Sequence, residues 1–288
     1  MDGRDASTRG ADALDGGAVA PDRGASTAPD RGASTAPGRP LPGARRLSLR
    51  RFLIVFGALL TTGIVAFAGL LAATPSVRDA EALARAQDRA HHAAFPGPPV
   101  PARFAAAIEA TEDHRFGSEP GIDPLAIGRV IAARLTGGTD QGGATIYQQL
   151  AKMLYTRGRS GVAVELEQIG LAVKLSMSYS SRQILQMYAD VAYFGNGYYG
   201  LAAASCGYFG IPPGRLSWPQ AALLAGLVQA PSADNPRQHP GRARQREAHV
   251  LGRLVAVRKL TPAQAAAALA QPVTRLVANS AAAGRCAV

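Results

Sequence analysis

Glu112 and Asp113 stand side by side at the end of an apolar run, Phe104 to Ile108. An acid that follows a hydrophobic helical segment lies at the lip of a core. There its ionised form is partly desolvated and its pKa rises. A carboxylate tuned in this way suits general-base work near neutral pH. Phe116, the turn Pro120-Gly121 and Asp123 complete the stretch. Taken alone, the pair reads equally well as two solvated acids at a helix end, so its meaning depends on the other blocks.

The second block runs from Gln141 to Tyr155, with Gly142-Gly143 leading into a helix. Thr145, Gln148, Gln149 and Lys152 fall at i, i+3, i+4 and i+7 and are expected on one helix face. Ile146, Leu150, Met153 and Leu154 make the apolar face opposite. One hydroxyl, two amides and one ammonium suit a sugar-phosphate ligand: amides bridge sugar hydroxyls and lysine meets phosphate. An ordinary solvated helix face is the plainer reading. In the third block, Val164 to Leu175, helical projection sets Gln168 among Val164, Leu171, Ala172 and Leu175. A polar group there needs a partner, in a site or in a buried hydrogen bond. Glu167 and Lys174 share another face as a solvated pair. The fourth block, Ala192 to Ala204, carries Gly195, Gly197 and Gly200, which force a turn between helices. In the fifth, Ser217 and Gln220 form a capping box with Pro219 in the first turn, and a buried helix follows from Ala221 to Ala230.

These segments need a scaffold, and the composition supplies one. The chain has 288 residues and 47% hydrophobic content, enough for one or two domains with a real core. Its periodicity is helical almost throughout the globular part, so the expected class is mostly α. A net charge of +11 favours an anionic partner: nucleic acid, anionic lipid or a phosphorylated substrate. Residues 1–44 are polar and contain an eight-residue repeat, Ala20–Thr27 and Ala28–Thr35, and are expected to be a disordered tail. Arg45, Arg46, Arg50 and Arg51 then precede Phe52–Ala73, which carries no charge. At about 1.5 Å per residue that run spans roughly 33 Å, a transmembrane signal anchor with its basic end cytoplasmic. Residues 45–73 are thus flank and anchor, 74–101 a connector with a helix near Asp79–Ala94, 102–275 the globular domain and 276–288 a tail. Cys206 and Cys286 match no metal spacing and no disulfide framework, so Cys206 is expected to be a small buried hydrophobe.

The five blocks, in this order and spacing, resemble glycosyltransferase family 51, the peptidoglycan glycosyltransferases of class A penicillin-binding proteins and their monofunctional relatives. The resemblance covers about Ala102 to Pro240 and rests on Glu112, on Gln148-Gln149-Leu150-Ala151-Lys152, on Tyr193-Phe194-Gly195 and on Leu224-Ala225-Gly226. It implies a lysozyme-like helical domain on a single-pass cell-membrane anchor, the N-terminus cytoplasmic and the catalytic domain outside. It also implies that lipid II is polymerised with inversion and undecaprenyl pyrophosphate released. Glu112 would be the base. Glu167 and Gln168 stand where the third block carries its second catalytic carboxylate. Asp113, Phe116, Gly121, Asp123, Thr145, Gln148, Gln149, Lys152, Arg157 and Tyr193 would bind the lipid II donor and the glycan acceptor. No protein metal site is implied, although a divalent cation, Mg or Mn, at the pyrophosphate is compatible. The expected setting is the bacterial cytoplasmic membrane and a cell-wall synthesis complex, without nucleic acid. The chain lacks the Ser-x-x-Lys acylation signature and so reads as monofunctional. Several positions depart from the family pattern. Glu119 replaces a histidine, Asp190 replaces an asparagine, and Val164 to Gln168 replaces Arg-Lys-x-x-Glu. Those departures keep two rivals open: a degenerate lipid II or glycan binder, and a lytic enzyme on a similar fold.

Overall fold

The computed structural model describes residues 49–123, 144–271, 273 and 276. The elements are α1 (Leu49–Ala73), α2 (Ala80–Ala90), α3 (Ala102–Glu112), α4 (Ile146–Leu154), α5 (Val162–Ser178), α6 (Ser181–Val191), α7 (Leu201–Phe209), a 3-10 turn (Pro213–Arg215), α8 (Trp218–Leu227), α9 (Pro240–Ala256) and α10 (Pro262–Ala270). The chain is mostly α, as expected. Among the described residues the only β pairing is a bridge between Tyr193 and Tyr199. The polar repeat and Gly142-Gly143 lie outside the described residues.

α1 is long and apolar enough to cross a membrane, and none of it is buried in protein. Its side chains Phe52, Ile54, Leu59 and Ile64 are all exposed. In water such a surface would be unfavourable by tens of cal/mol per Å2, whereas hydrocarbon accepts it. α1 therefore has the character of a membrane anchor.

The body forms around two helix groups. α3, α8 and α9 pack on one another, and α4 packs on α5 and α6, with α2 lying against α6. Phe104 and Ile108 of α3, Leu150 of α4, Leu171 and Leu175 of α5, Tyr188 of α6 and Leu224 of α8 are all fully buried in a single core. Each such side chain contributes about 1.5–3 kcal/mol of burial. α8 is apolar all round and is buried from Ala221 to Leu227, which makes it the central helix. Gln220 accepts from the Ser217 amide at 2.9 Å and so closes its N-terminus.

The packed body reaches back beyond the boundary expected at Ala102. Val77, Ala80 and Ala84 all belong to the core. Alanine carries this contact face, and alanine gives little hydrophobic contrast to read in a sequence. Cys206 is corrected too: it is half-buried and disulfide-bonded. The chain's other cysteine, Cys286, lies outside the described residues.

One buried acid is a strain on this fold. Asp190 of α6 accepts from the Gly97 amide at 3.2 Å and from Gln186 at 2.9 Å, joining the connector to the core. Burial, opposed by the Gly97 bond and helped by nearby Asp88, lifts its pKa from the ordinary 3.8 to about 7. A carboxyl whose pKa is raised by folding favours the native state when protonated. That contribution is lost as pH climbs from about 4 through 7. Asp190→Asn cannot ionise. Relative to wild type, its Tm should therefore improve steadily between pH 4.5 and 8. A Tm difference independent of pH would show that the carboxyl does not titrate in this window.

Candidate active site

Glu112 is the last residue of α3, where the α3–α8–α9 group meets α4 and α6. Its carboxylate Oε2 accepts from the Gln149 amide of α4 at 2.8 Å. Gln149 in turn accepts from the hydroxyl of Tyr188 on α6, also at 2.8 Å. Burial raises the pKa of Glu112, the direction expected of an acid after an apolar run. The Gln149 bond and the positive charge of Arg246 oppose the rise, and neighbouring Asp113 adds to it. Glu112 makes no ion pair at contact distance among the described residues. It is therefore a half-buried carboxylate with one neutral donor, which leaves lone pairs free to accept a proton.

The loop after Glu112 is stitched to the start of α4. Asp113, nearly buried, accepts from the Ile146 amide at 3.1 Å. That amide is one of the four that a helix leaves unpaired at its N-terminus, and a negative charge is favoured there. Thr145 donates to the Gly121 carbonyl at 2.7 Å. Gly121 has φ +82°, and a Cβ there would collide with the carbonyl oxygen of Ala172 on α5. Only glycine lets the loop lie against α5 in that conformation. Asp123 pairs with Arg115, and the Phe116 ring packs 5.1 Å from that of Tyr147. Glu119 faces Asp113, close enough for the two carboxyls to interact. Burial first, then the charge of Asp113, push its pKa to about 7. The two carboxyls cannot both ionise cheaply so close together.

The residues expected to form one polar stripe divide into three roles. Thr145 is the N-cap of α4, and Gln148 closes a capping box with it: the Gln148 amide donates to Thr145 Oγ1 at 3.2 Å and Gln148 Oε1 accepts from the Thr145 amide at 3.0 Å. Gln149 belongs to Glu112. Lys152 is exposed. The Thr-x-x-Gln signature of a capping box was present in the sequence and accounts for this division.

Glu167 and Gln168 do not join the Glu112 network. Arg159 holds Glu167 through two bonds, at 2.8 and 3.3 Å. Gln168 donates to the buried Thr156 hydroxyl at 2.7 Å, the buried-hydrogen-bond alternative for that residue. Arg157 is exposed, and the Tyr193 ring lies 4.6 Å from that of Tyr199. Two residues beside Glu112 escaped the sequence reading, Tyr188 and Arg246. Arg246 crosses α8 at Gly226, donates to the Gly226 carbonyl at 3.2 Å and lies 3.8 Å from Asp234. A Cβ on Gly226 would press on the Arg246 stem. The fifth-block glycine thus makes room for the arginine whose charge reaches Glu112.

A family profile described as Transglycosylase matches residues 79–255. The chain belongs to the transglycosylase family. Penicillin-binding protein 1A of Aquifex aeolicus is 39% identical over 176 residues, covering 61% of this chain and 24% of that protein. A Cupriavidus necator protein named as a transglycosylase is 33% identical over 174 residues, covering 60% of this chain and 75% of that one. Penicillin-binding protein 1A of Mycobacterium tuberculosis is 37% identical over 172 residues, 58% of this chain and 21% of that one. This transglycosylase chain spans about a quarter or less of the length of those penicillin-binding proteins. A solved structure of penicillin-binding protein 1A from Haemophilus influenzae aligns with TM-score 0.31 and 34% identity over 32% of this chain and 14% of that one, an overlap too partial to bear on the fold. Glycosyl transfer is the activity for which the family is named. A cavity of about 380 Å3 lies between α8, α9 and α10 and is lined by none of the site residues.

Thr145→Ala removes both the cap of α4 and the link to Gly121. It should cost about 1–3 kcal/mol, from one N-cap and one buried hydrogen bond. Chemical denaturation would measure it. An unchanged midpoint would show that the stitch between the two helix groups carries no stability.

Proposed function

We propose that this chain polymerises lipid II into β-1,4-linked glycan with release of undecaprenyl pyrophosphate, and that Glu112 is the base. The observation that carries this reading is the Glu112 carboxylate itself: desolvated at a helix end, held by one neutral amide and in no ion pair among the described residues. It takes the proton from the 4-hydroxyl of the acceptor sugar. The freed oxygen attacks the anomeric carbon of the donor from the face opposite the pyrophosphate, so the configuration inverts. Base catalysis of this kind contributes about 10²–10⁴-fold. Exposed Lys152 and Arg157 lie at and just beyond the end of α4, and we assign them to the leaving pyrophosphate. Among the described residues, no three His, Cys, Asp or Glu side chains converge to hold a metal. A divalent cation carried by the pyrophosphate needs only one or two protein carboxylates, and no step is routed through one. We place residues 1–51 in the cytoplasm and 74–288 outside, because the arginine cluster precedes the apolar helix.

A second reading is a binder of the same substrates with little turnover. It is favoured by Gln168, tied to Thr156 where the family carries a carboxylate, and by Glu167, tied to Arg159.

Purified full-length protein, given lipid II in detergent or vesicles, should yield glycan polymer. Release of fragments from purified cell wall instead would establish a lytic enzyme, and lipid II binding without product the binder. Glu112→Gln keeps size and hydrogen-bonding reach but accepts no proton. It should fold, bind lipid II and lose at least about 10²-fold in polymerisation. A wild-type rate would remove Glu112 from the mechanism. Lys152→Ala should weaken use of the donor. Unchanged binding and turnover would leave Lys152 a solvated surface residue.

A further inference from the structure

Tyr188 is fully buried on α6, and its hydroxyl has one partner, the Gln149 Oε1 atom at 2.8 Å. The other end of the same amide, Gln149 Nε2, donates to Glu112 Oε2 at 2.8 Å and to the Ala144 carbonyl at 3.2 Å. A primary amide has one accepting end and one donating end. Turned over, it would set its oxygen against both the Glu112 carboxylate and the Ala144 carbonyl. It would also break the one hydrogen bond that the buried Tyr188 hydroxyl donates among the described residues. The phenol cannot escape by ionising, because burial and the charge of Glu112 hold its pKa well above the ordinary value. The hydroxyl is therefore a fixed donor, and it fixes which way the amide points.

We propose that Tyr188 is a positioning residue of the polymerisation reaction: it locks the Gln149 side chain with its NH2 toward Glu112, which holds the base carboxylate in one orientation. This rests on the reading of Glu112 as base. Tyr188 is fully buried and reaches Glu112 through Gln149. The consequence is specific. A carboxylate that loses its amide donor is harder to ionise, whereas loss of general packing affects all protonation states alike. The charged and titratable groups facing Glu112 are Asp113 on its own loop, Arg246 on α9 and Tyr188 on α6. Tyr188→Phe alters only the last and keeps its ring in the core.

The test is kcat/KM for glycan polymerisation by the full-length chain in lipid vesicles, from pH 4.5 to 9, with Tm measured alongside. For Tyr188→Phe the acid limb of the profile should move up by about half to one pH unit. A shift of one unit is about tenfold in rate below the limb and vanishes on the alkaline plateau. Gln149→Leu should show a shift at least as large. In that background Tyr188→Phe should add no further shift, because its route to Glu112 is gone. A loss equal at every pH, or failure of Tyr188→Phe to fold, would make Tyr188 purely structural and overturn the proposal. An added shift in the Gln149→Leu background would also overturn it. Glu112→Gln separates the two levels of the argument. If that variant polymerises normally, the assignment of the base falls. If it is inactive while Tyr188→Phe leaves the limb in place, only the role of Tyr188 falls.

Discussion

As the proposed base, Glu112 has to be desolvated enough for its pKa to rise and polar enough in its surroundings to pass a proton on. Most of the described architecture bears on that compromise. The carboxylate gains dryness from its place at the end of a helix whose inner face, Phe104, Ala107 and Ile108, is wholly buried. Two influences of different range oppose the rise of its pKa, a contact donor in Gln149 and a more distant charge in Arg246. Each comes from a different helix. α3 brings the acid, α4 the amide and α9 the arginine, so the balance exists only when the two helix groups are assembled.

The stitch between Asp113 and the start of α4 serves that assembly. It uses a charge that the helix end needs anyway and thereby fixes where Gln149 stands relative to Glu112. Arg253 does similar work on the other side, donating to the Ala110 carbonyl near the end of α3 at 3.1 Å. The acid is thus held from before by the bond to the Ala110 carbonyl and from after by the Asp113 side chain on the Ile146 amide. Neither of these bonds uses up a Glu112 oxygen.

The parts of this arrangement legible in the sequence are those that repeat with helical period or carry turn chemistry. The apolar run before Glu112, the all-apolar helix after Ser217 and the glycine-rich turn at Gly195 are local signals, and local signals survive without a fold. What was not legible is pairing at a distance. Nothing near Tyr188 in sequence announces that its hydroxyl meets Gln149, and nothing near Arg246 announces Glu112. The stripe Thr145, Gln148, Gln149 and Lys152 was misdivided because helical projection treats an N-cap as if it were a helical residue. Thr145 precedes the helix, and its side chain turns back to the backbone. Gln168 shows the reverse case. The sequence stated that it needed a partner, and only the fold could name Thr156.

Lys174 is expected from the sequence to form a surface pair with Glu167. It donates instead to the carbonyls of Thr74 and Pro75, at 2.6 and 3.0 Å, just past the end of α1. Those oxygens belong to the end of a helix that leaves its last carbonyls unpaired and carries partial negative charge, so an ammonium is well matched to them. Thr74 is itself buried and rests against Gly170 of α5. The anchor therefore runs into the catalytic body through a clamp, not a slack tether. For a chain held by α1, the stand-off between the bilayer and Glu112 becomes a built-in length. Under the proposed function the chain works like a tool on a fixed stem, and the reacting sugars have to ride at a matching height.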